Sequence, residues 1–197
     1  MTARENIFQR ARIVCTILTF GLFALAPSAG VASANWRIDP ARTHIAFAIE
    51  AVGYPRTHGQ FRQFSGRISV DFDHPDRSGV TFHVQSQSVD VGSTSFDDYL
   101  RSTAFLDAGH FPSIDFVSKS IEKIDDHTVR VTGDLTLLGV TRPLSVDVAV
   151  QHDAGGGGRL VFLAKTSIDR LDFGMNSGFP LVSREVELVI SSEAVEL

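Results

Sequence analysis

Apolar and polar residues alternate with a period of two through most of the chain after residue 35. Ile45, Phe47 and Ile49 alternate with His44, Ala46 and Ala48. Ile68, Val70 and Phe72 alternate with Arg67, Ser69 and Asp71, and Val80, Phe82 and Val84 with Thr81, His83 and Gln85. Ile114 and Phe116 open a further run to about Ile124. Val129 and Val131 alternate with Arg130 and Thr132. Leu144, Val146, Val148 and Val150 alternate with Ser145, Asp147, Ala149 and Gln151. Leu160, Phe162 and Ala164 start another run, and Val186, Leu188 and Ile190 lie in the last one, to about Leu197. Each run predicts a half-buried strand, because successive strand side chains point to opposite faces. Between Val131 and Leu144, Gly133 predicts a bend or bulge, and Gly139 with Pro143 a reversal.

The period breaks at Ser95-Phe96-Asp97-Asp98-Tyr99-Leu100-Arg101. Ser95 with Asp98 three residues on, and acids in the first turn, predict a short capped helix over residues 95–101. Gly155 to Gly158 reads as a hairpin loop. Neither Lys-Ser/Thr nor a helix follows it, so it does not read as a phosphate cradle.

About eight long antiparallel strands with one short helix predict an all-β domain, either a sandwich or a closed up-and-down barrel. Long strands with one apolar face favour the barrel, since closure removes exposed edges. The interior of an eight-stranded barrel is just wide enough for side chains or one small ligand.

Residues 1–34 are expected to leave this domain. Arg4, Arg10 and Arg12 precede an uncharged apolar run from Ile13 to Ala26, and Ala32-Ser33-Ala34 follows. This is the pattern of a cleaved secretory leader, too short in its apolar part for a membrane span. Cleavage after Ala34 would remove Cys15, the only cysteine of the 197 residues. The remaining domain, residues 35–197, would then depend on its core rather than on disulfides. Loss of three Arg and one Glu would take the net charge from −5 to −7. No basic stripe appears, which argues against nucleic acid and against tight association with an anionic membrane.

Candidate chemistry is sparse. None of the seven His forms a His-x-x-x-His or His-Glu-x-x-His pattern, so no metal site is predicted. No serine lies in a Gly-x-Ser-x-Gly elbow, and no acid, base and nucleophile converge by pattern, so no catalytic residue is assigned. The apolar phase remains: Phe47, Ile49, Val70, Phe72, Phe82 and Val84 in the first half of the domain, then Phe116, Val131, Val146, Val148, Phe162 and Leu188. Those positions serve equally as a packed core or as the wall of an apolar site.

The string Gly133-Asp134-Leu135-Thr136-Leu137-Leu138-Gly139-Val140-Thr141-Arg142-Pro143-Leu144 resembles the signature of the YceI-like family of lipocalin-like periplasmic proteins. Other segments fit the same pattern in order. They are Asp39, Arg42, Thr43, Ile45 and Phe47; Gly53, Gly59 and Phe61; Ser88, Val89 and Asp90; Leu100, Arg101, Ser102, Phe105 and Asp107; Pro112, Ile114 and Phe116; and Arg170, Asp172, Phe173 and Gly174. The resemblance implies an eight-stranded antiparallel lipocalin-like barrel. It implies a periplasmic, non-enzymatic carrier of a long-chain apolar lipid, such as a polyisoprenoid, an isoprenoid quinone or a fatty amide. No cofactor beyond such a lipid is implied, and a homodimer rests on the resemblance alone. Leu135, Leu137 and Phe173 join the apolar residues as expected ligand contacts. A packed barrel serving as an interaction module, and a lipid-modifying enzyme, are the competing readings. The chain departs from the family where His is common, having Arg42, Ala51 and Leu138 instead. Arg42 is thus the candidate for a lipid head group, against the ordinary role of a solvated strand-end Arg.

Overall fold

The computed structural model describes residues 34–71, 74–153 and 159–196. Its strands are β1 (Ala34–Ile38), β2 (His44–Ala51), β3 (Thr57–Phe61), β4 (Phe64–Val70), β5 (Gly79–Gln85) and β6 (Val89–Asp90). After α1 (Thr94–Arg101) come β7 (Ser113–Lys123), β8 (Thr128–Leu137), β9 (Val140–Asp153), β10 (Arg159–Asp169) and β11 (Val182–Glu196). All pairings are antiparallel. β1 pairs with β4 on one side and β11 on the other, so β1-β4-β5-β7-β8-β9-β10-β11 is a closed ring of eight strands. The predicted eight-stranded antiparallel barrel is therefore what the chain forms.

The three remaining strands prolong the ring at one end. β2 continues along β11 beyond β1, with Phe47 opposite Leu188 and Ile45 opposite Ile190. β3 pairs with β2, and β6 with β3. Thus β1 with β2, β4 with β3, and β5 with β6 act as three bent staves. The β5–β7 ladder begins at Gln85 opposite Ser113, and β6 adds no rungs to β7. α1 and residues 102–112 connect these two staves. Leu100, Phe105, Leu106 and Ala108 from this connection are buried against Val89, Leu135 and Leu137.

Two local expectations are corrected. The helix starts one residue before Ser95, with Ser93 at the cap position and no side-chain cap. Asp97, not Asp98, secures the entry by accepting a hydrogen bond from the Val91 amide at 2.7 Å. The reversal near Gly139 is tighter than the Gly139–Pro143 bracket implied. β8 runs unbroken through Gly133 to Leu137, and only Leu138 and Gly139 form the turn, at φ 53° and 72°. Positive φ at both central residues makes a type I′ turn, whose twist matches that of the flanking strands. Pro143 lies inside β9, opposite Asp134.

Gly133 is held by close approach. The neighbouring β7 is irregular between Ser118 and Ser120, and Gly133 faces that bulge. A Cβ there would stand 2.4 Å from the Val117 carbonyl oxygen and 2.8 Å from Ser118 Cα.

Side chains pack densely at the two ends of the barrel. Trp36, Ile38, Ile68, Leu160 and Ala194 form one cluster, where the first and last strands meet. The helix connection with Leu135, Leu137, Phe173 and Met175 forms the other. Where β1 passes into β2, the Thr43 and Ser192 hydroxyls bond each other at 2.8 Å and stay buried.

Gly133→Ala is expected to destabilise the barrel by about 1–3 kcal/mol, since two of the three atoms it would meet are backbone and cannot swing away, and the third is Phe116 Cζ at 2.7 Å. A lowered urea midpoint with an unchanged slope is the readout.

Candidate ligand cavity

The inward phase of the strands surrounds a cavity of about 640 Å3 between the two end clusters. On β9 its wall is Leu144, Val146, Val148 and Val150, all half-buried, while Ser145, Asp147 and Ala149 between them face solvent. The alternation thus sorts each strand into a wet outer face and an apolar inner one. Inward residues that remain half-exposed inside a closed ring face empty space rather than one another.

Most residues expected to form the site do line this cavity. Phe47 and Ile49 come from β2, Val70 from β4, and Phe82 and Val84 from β5. Phe116 comes from β7, Val131, Leu135 and Leu137 from β8, Val146 and Val148 from β9, Phe162 from β10 and Leu188 from β11. Phe72 lies outside the described residues. Phe173 is displaced from the expected wall. It closes a 3-10 turn, Arg170–Phe173, and is buried in the end cluster against its neighbours. Arg42 also lies elsewhere. It ends a 3-10 turn outside the barrel, half-exposed, and donates to Glu193 at 2.9 Å with Asp39 nearby. That pairing raises its already high pKa, first through the hydrogen bond to Glu193. A guanidinium committed to a neighbouring carboxylate on the outer surface is no head-group contact for a ligand in the interior.

Ile45, Val80, Leu144, Val150 and Ile190 also line the cavity. They belong to the same alternating phase and were findable by extending it by one residue pair. Phe96, Tyr99 and Leu100 of α1 line it too. Their helical spacing of three and four residues was the available signal.

Most of the polar lining gathers at one end of the cavity, while Arg170, Thr57 and Thr166 line it toward the other. Asp71, Ser78, Lys123, Asp125, Asp126 and His127 contribute where β4 leads to β5 and β7 turns into β8. Asp71 is buried there and accepts from the His74 amide at 2.8 Å. Lys123 Nζ donates to Asp126 at 2.7 Å and holds that carboxyl below its usual range. The other end is bounded by Ala51, Thr57, Gly178 and Val182.

Arg170 is the one wholly buried cation among the described core residues, with 0% of its surface exposed. Nε donates to the Ser183 carbonyl at 2.7 Å, Nη2 to the Val182 carbonyl at 2.9 Å, and Nη1 to the Met175 carbonyl. Its charge also lies 6.0 Å from the Phe105 ring centroid. Burial pulls the Arg170 pKa down, opposed by adjacent Asp169. Asp169 itself is bound by Arg184, whose Nε donates to it at 2.6 Å, and this hydrogen bond holds the carboxyl below its usual range. Arg170 therefore ties the connection between β10 and β11 to the barrel through backbone carbonyls.

His83 and Ser113 both touch Asp115, but the three are not arranged as a hydrolytic triad. His83 Nδ1 lies 2.6 Å from Asp115 Oδ1, and Ser113 Oγ donates to Asp115 Oδ2 at 2.6 Å. The carboxylate sits between hydroxyl and imidazole, so His83 is not placed to take the Ser113 proton. His83 is exposed, on the phase opposite Phe82 and Val84. Among the described residues, no three His, Cys, Asp or Glu side chains gather as a metal site.

A family model for the YceI-like domain matches residues 36–194. The protein YceI of Escherichia coli is 34% identical over 184 residues, covering 91% of this chain and 95% of that protein. The crystal structure of BcnA from Burkholderia cenocepacia superposes with a TM-score of 0.74 at 24% identity, covering 80% of this chain and 99% of that one. A polyisoprenoid binding domain from Saccharophagus degradans gives a TM-score of 0.67 at 14% identity, over 82% of this chain and 98% of that one. Both structures share the fold.

Arg170→Met keeps the length of the side chain and removes every donor. Each buried carbonyl left without a partner costs about 1–3 kcal/mol. The expected result is a strongly lowered urea midpoint with faster amide exchange at residues 174–183. Acid titration gives a second check. Asp90, Asp126, Asp147 and Asp169 are all held below the usual carboxylate range. Their contribution is fully present above the unfolded-state value of about 3.9 and is lost as pH falls through the lower folded values. Stability is expected to stay flat from neutral pH down to about 5 and to fall below about 4, with a shallower fall in Asp169→Asn.

Proposed function

The chain belongs to the YceI-like domain family, and from that premise we propose that it is a binding protein that carries a long-chain apolar lipid inside the barrel. The observation that supports this most directly is the half-exposed inward phase around a cavity of about 640 Å3. That volume falls within the roughly 300–1,000 Å3 typical of small-molecule sites. A packed interaction module would bury Val146, Val148 and Leu188 against opposing side chains instead. A polyisoprenoid, an isoprenoid quinone and a fatty amide all fit a wall of this chemistry. The polyisoprenoid-binding designation of the Saccharophagus domain agrees with that class.

Affinity would come from burial. Covering about 400 Å2 of apolar ligand surface is worth on the order of 10 kcal/mol before the costs of ordering are subtracted. No ion pair in the middle of the barrel is needed. The polar end of such a lipid has its natural neighbours at the Asp71, Lys123 and His127 mouth. The leader pattern of residues 1–34 supports export, and with it a periplasmic carrier. Among the described residues, Ser113, Asp115 and His83 meet without the order that catalysis needs, which favours binding over catalysis.

The test is native mass spectrometry of the purified protein, followed by organic extraction of what it carries. A stoichiometric long-chain adduct is expected. Val146→Phe with Leu188→Phe, which fills the cavity, is expected to lower uptake of an isoprenoid quinone at least tenfold while far-ultraviolet circular dichroism stays unchanged. Bare mass from repeated preparations, with no uptake of quinone, would overturn the carrier reading.

A further inference from the structure

Four large apolar side chains stand out in water at the less polar end of the barrel. Val52 is 70% exposed, Tyr54 77%, Phe179 52% and Leu181 64%. They come from two connections, residues 52–56 between β2 and β3, and residues 174–181 between β10 and β11. The Val52 amide donates to the Leu181 carbonyl at 2.8 Å, so the two connections are joined. Each is tethered further. Val182 N donates to Gly178 O at 2.8 Å, and Arg170 holds the carbonyls of Met175, Val182 and Ser183 from beneath.

These residues continue the cavity wall outward. Ala51 and Thr57 line the cavity and flank Val52 and Tyr54 in the chain. Gly178 and Val182 line it and flank Phe179 and Leu181. Water-exposed apolar groups joined in a patch mark a contact surface. Here the patch is continuous with an apolar interior.

We propose that this collar inserts into the surface of a lipid bilayer and that cargo passes through it between bilayer and barrel. The proposal rests on the lipid-carrier reading above. A long apolar molecule resides in membranes, and its transfer through water would expose the surface whose burial drives binding. A collar seated among lipid head groups removes that exposure. Tyr54 and Phe179 supply aromatic rings of the kind that collect at the membrane interface. The charge pattern selects a mode of contact. Residues 171–183 hold no Lys or Arg, and Arg56, the basic residue of the other connection, is engaged by Glu187. Attraction is therefore apolar, independent of anionic lipid, and brief, since four side chains are far less than a membrane-spanning helix.

The experiment uses residues 31–197, which form one compact unit holding the whole barrel and lack the apolar leader segment. Flotation with vesicles of phosphatidylcholine alone, and of phosphatidylcholine mixed with phosphatidylglycerol, is compared for the unaltered protein and for Val52→Asp with Leu181→Asp. The unaltered protein is expected to float with both vesicles equally, and the variant to lose at least tenfold in bound fraction. Transfer of an isoprenoid quinone from vesicles is expected to slow by the same factor, while uptake of quinone from detergent stays unchanged. Binding that appears only with phosphatidylglycerol, or that survives in the variant, would overturn the proposal. So would a dimer in solution that the variant dissociates, since a second copy would then cover the collar. Quinone bound in detergent without vesicle flotation sinks the collar and leaves the carrier standing. Flotation that depends on the collar, with no quinone bound under any condition, supports the membrane contact and sinks the carrier.

Discussion

Closure of the sheet through β1 is the constraint on which the rest depends. A strand of five residues pairs with β4 along one edge and with β11 along the other. Without that double pairing, β4 and β11 would each present free amides and carbonyls, and the sheet would be an open one of the kind that adds further strands. With it, every inward side chain is committed to one enclosed space. Trp36 and Ile38 make this junction apolar as well as hydrogen-bonded, being nearly inaccessible beside Ile68, Leu160 and Ala194.

An enclosed space must then be filled or left open, and the two regions of the barrel resolve this differently. At the ends, Trp36, Phe105, Phe173 and Met175 reach far enough to meet opposing residues. Along β9 the inward residues are one Leu and three Val, which are too short to cross a barrel of eight strands. Dispersion contacts are lost where no atom faces the wall. A cargo restores them. The stability of the protein and its capacity to bind thus reside in different layers of one inward phase.

The strands, their facing and the single helix were legible because alternation reports directly which side of a sheet a residue occupies. Turns were legible only where their residues had the usual chemistry. Leu138 at positive φ is a poor signal for a type I′ turn, since bulky side chains seldom adopt that conformation. Its packing against the end cluster supplies what local preference does not. Pro143 drew the reversal toward itself, although its side chain is exposed and β9 accommodates it. Charged residues were the least legible. Arg42 and Arg170 both stand beside an Asp in the chain or close to one, and both fell in family-like motifs. One is paired with a carboxylate outside the barrel and the other is sealed among carbonyls. Burial by tertiary packing separates them, and no local pattern encodes it.

The positions where the family pattern has His bear on how such a barrel holds its contents. Ala51 lines the cavity at the collar end, and Leu138 packs against the nearby end cluster. Arg42 faces outward and is taken up by Glu193. None of the three places a titratable group against the cargo space. Of the charges that border it, Arg170 lies at the collar end, bound by three backbone carbonyls, and the others gather at the opposite mouth, where Lys123 and Asp126 already neutralise each other. The apolar middle layer thus separates a carbonyl-bound cation at the collar end from the polar mouth at the other. An amphipathic molecule in this cavity would place its tail in the Val and Phe layer and its polar end among Asp71, Lys123 and His127. Selection would then act on length and on the polar end, while the middle of the tail is recognised only as apolar volume.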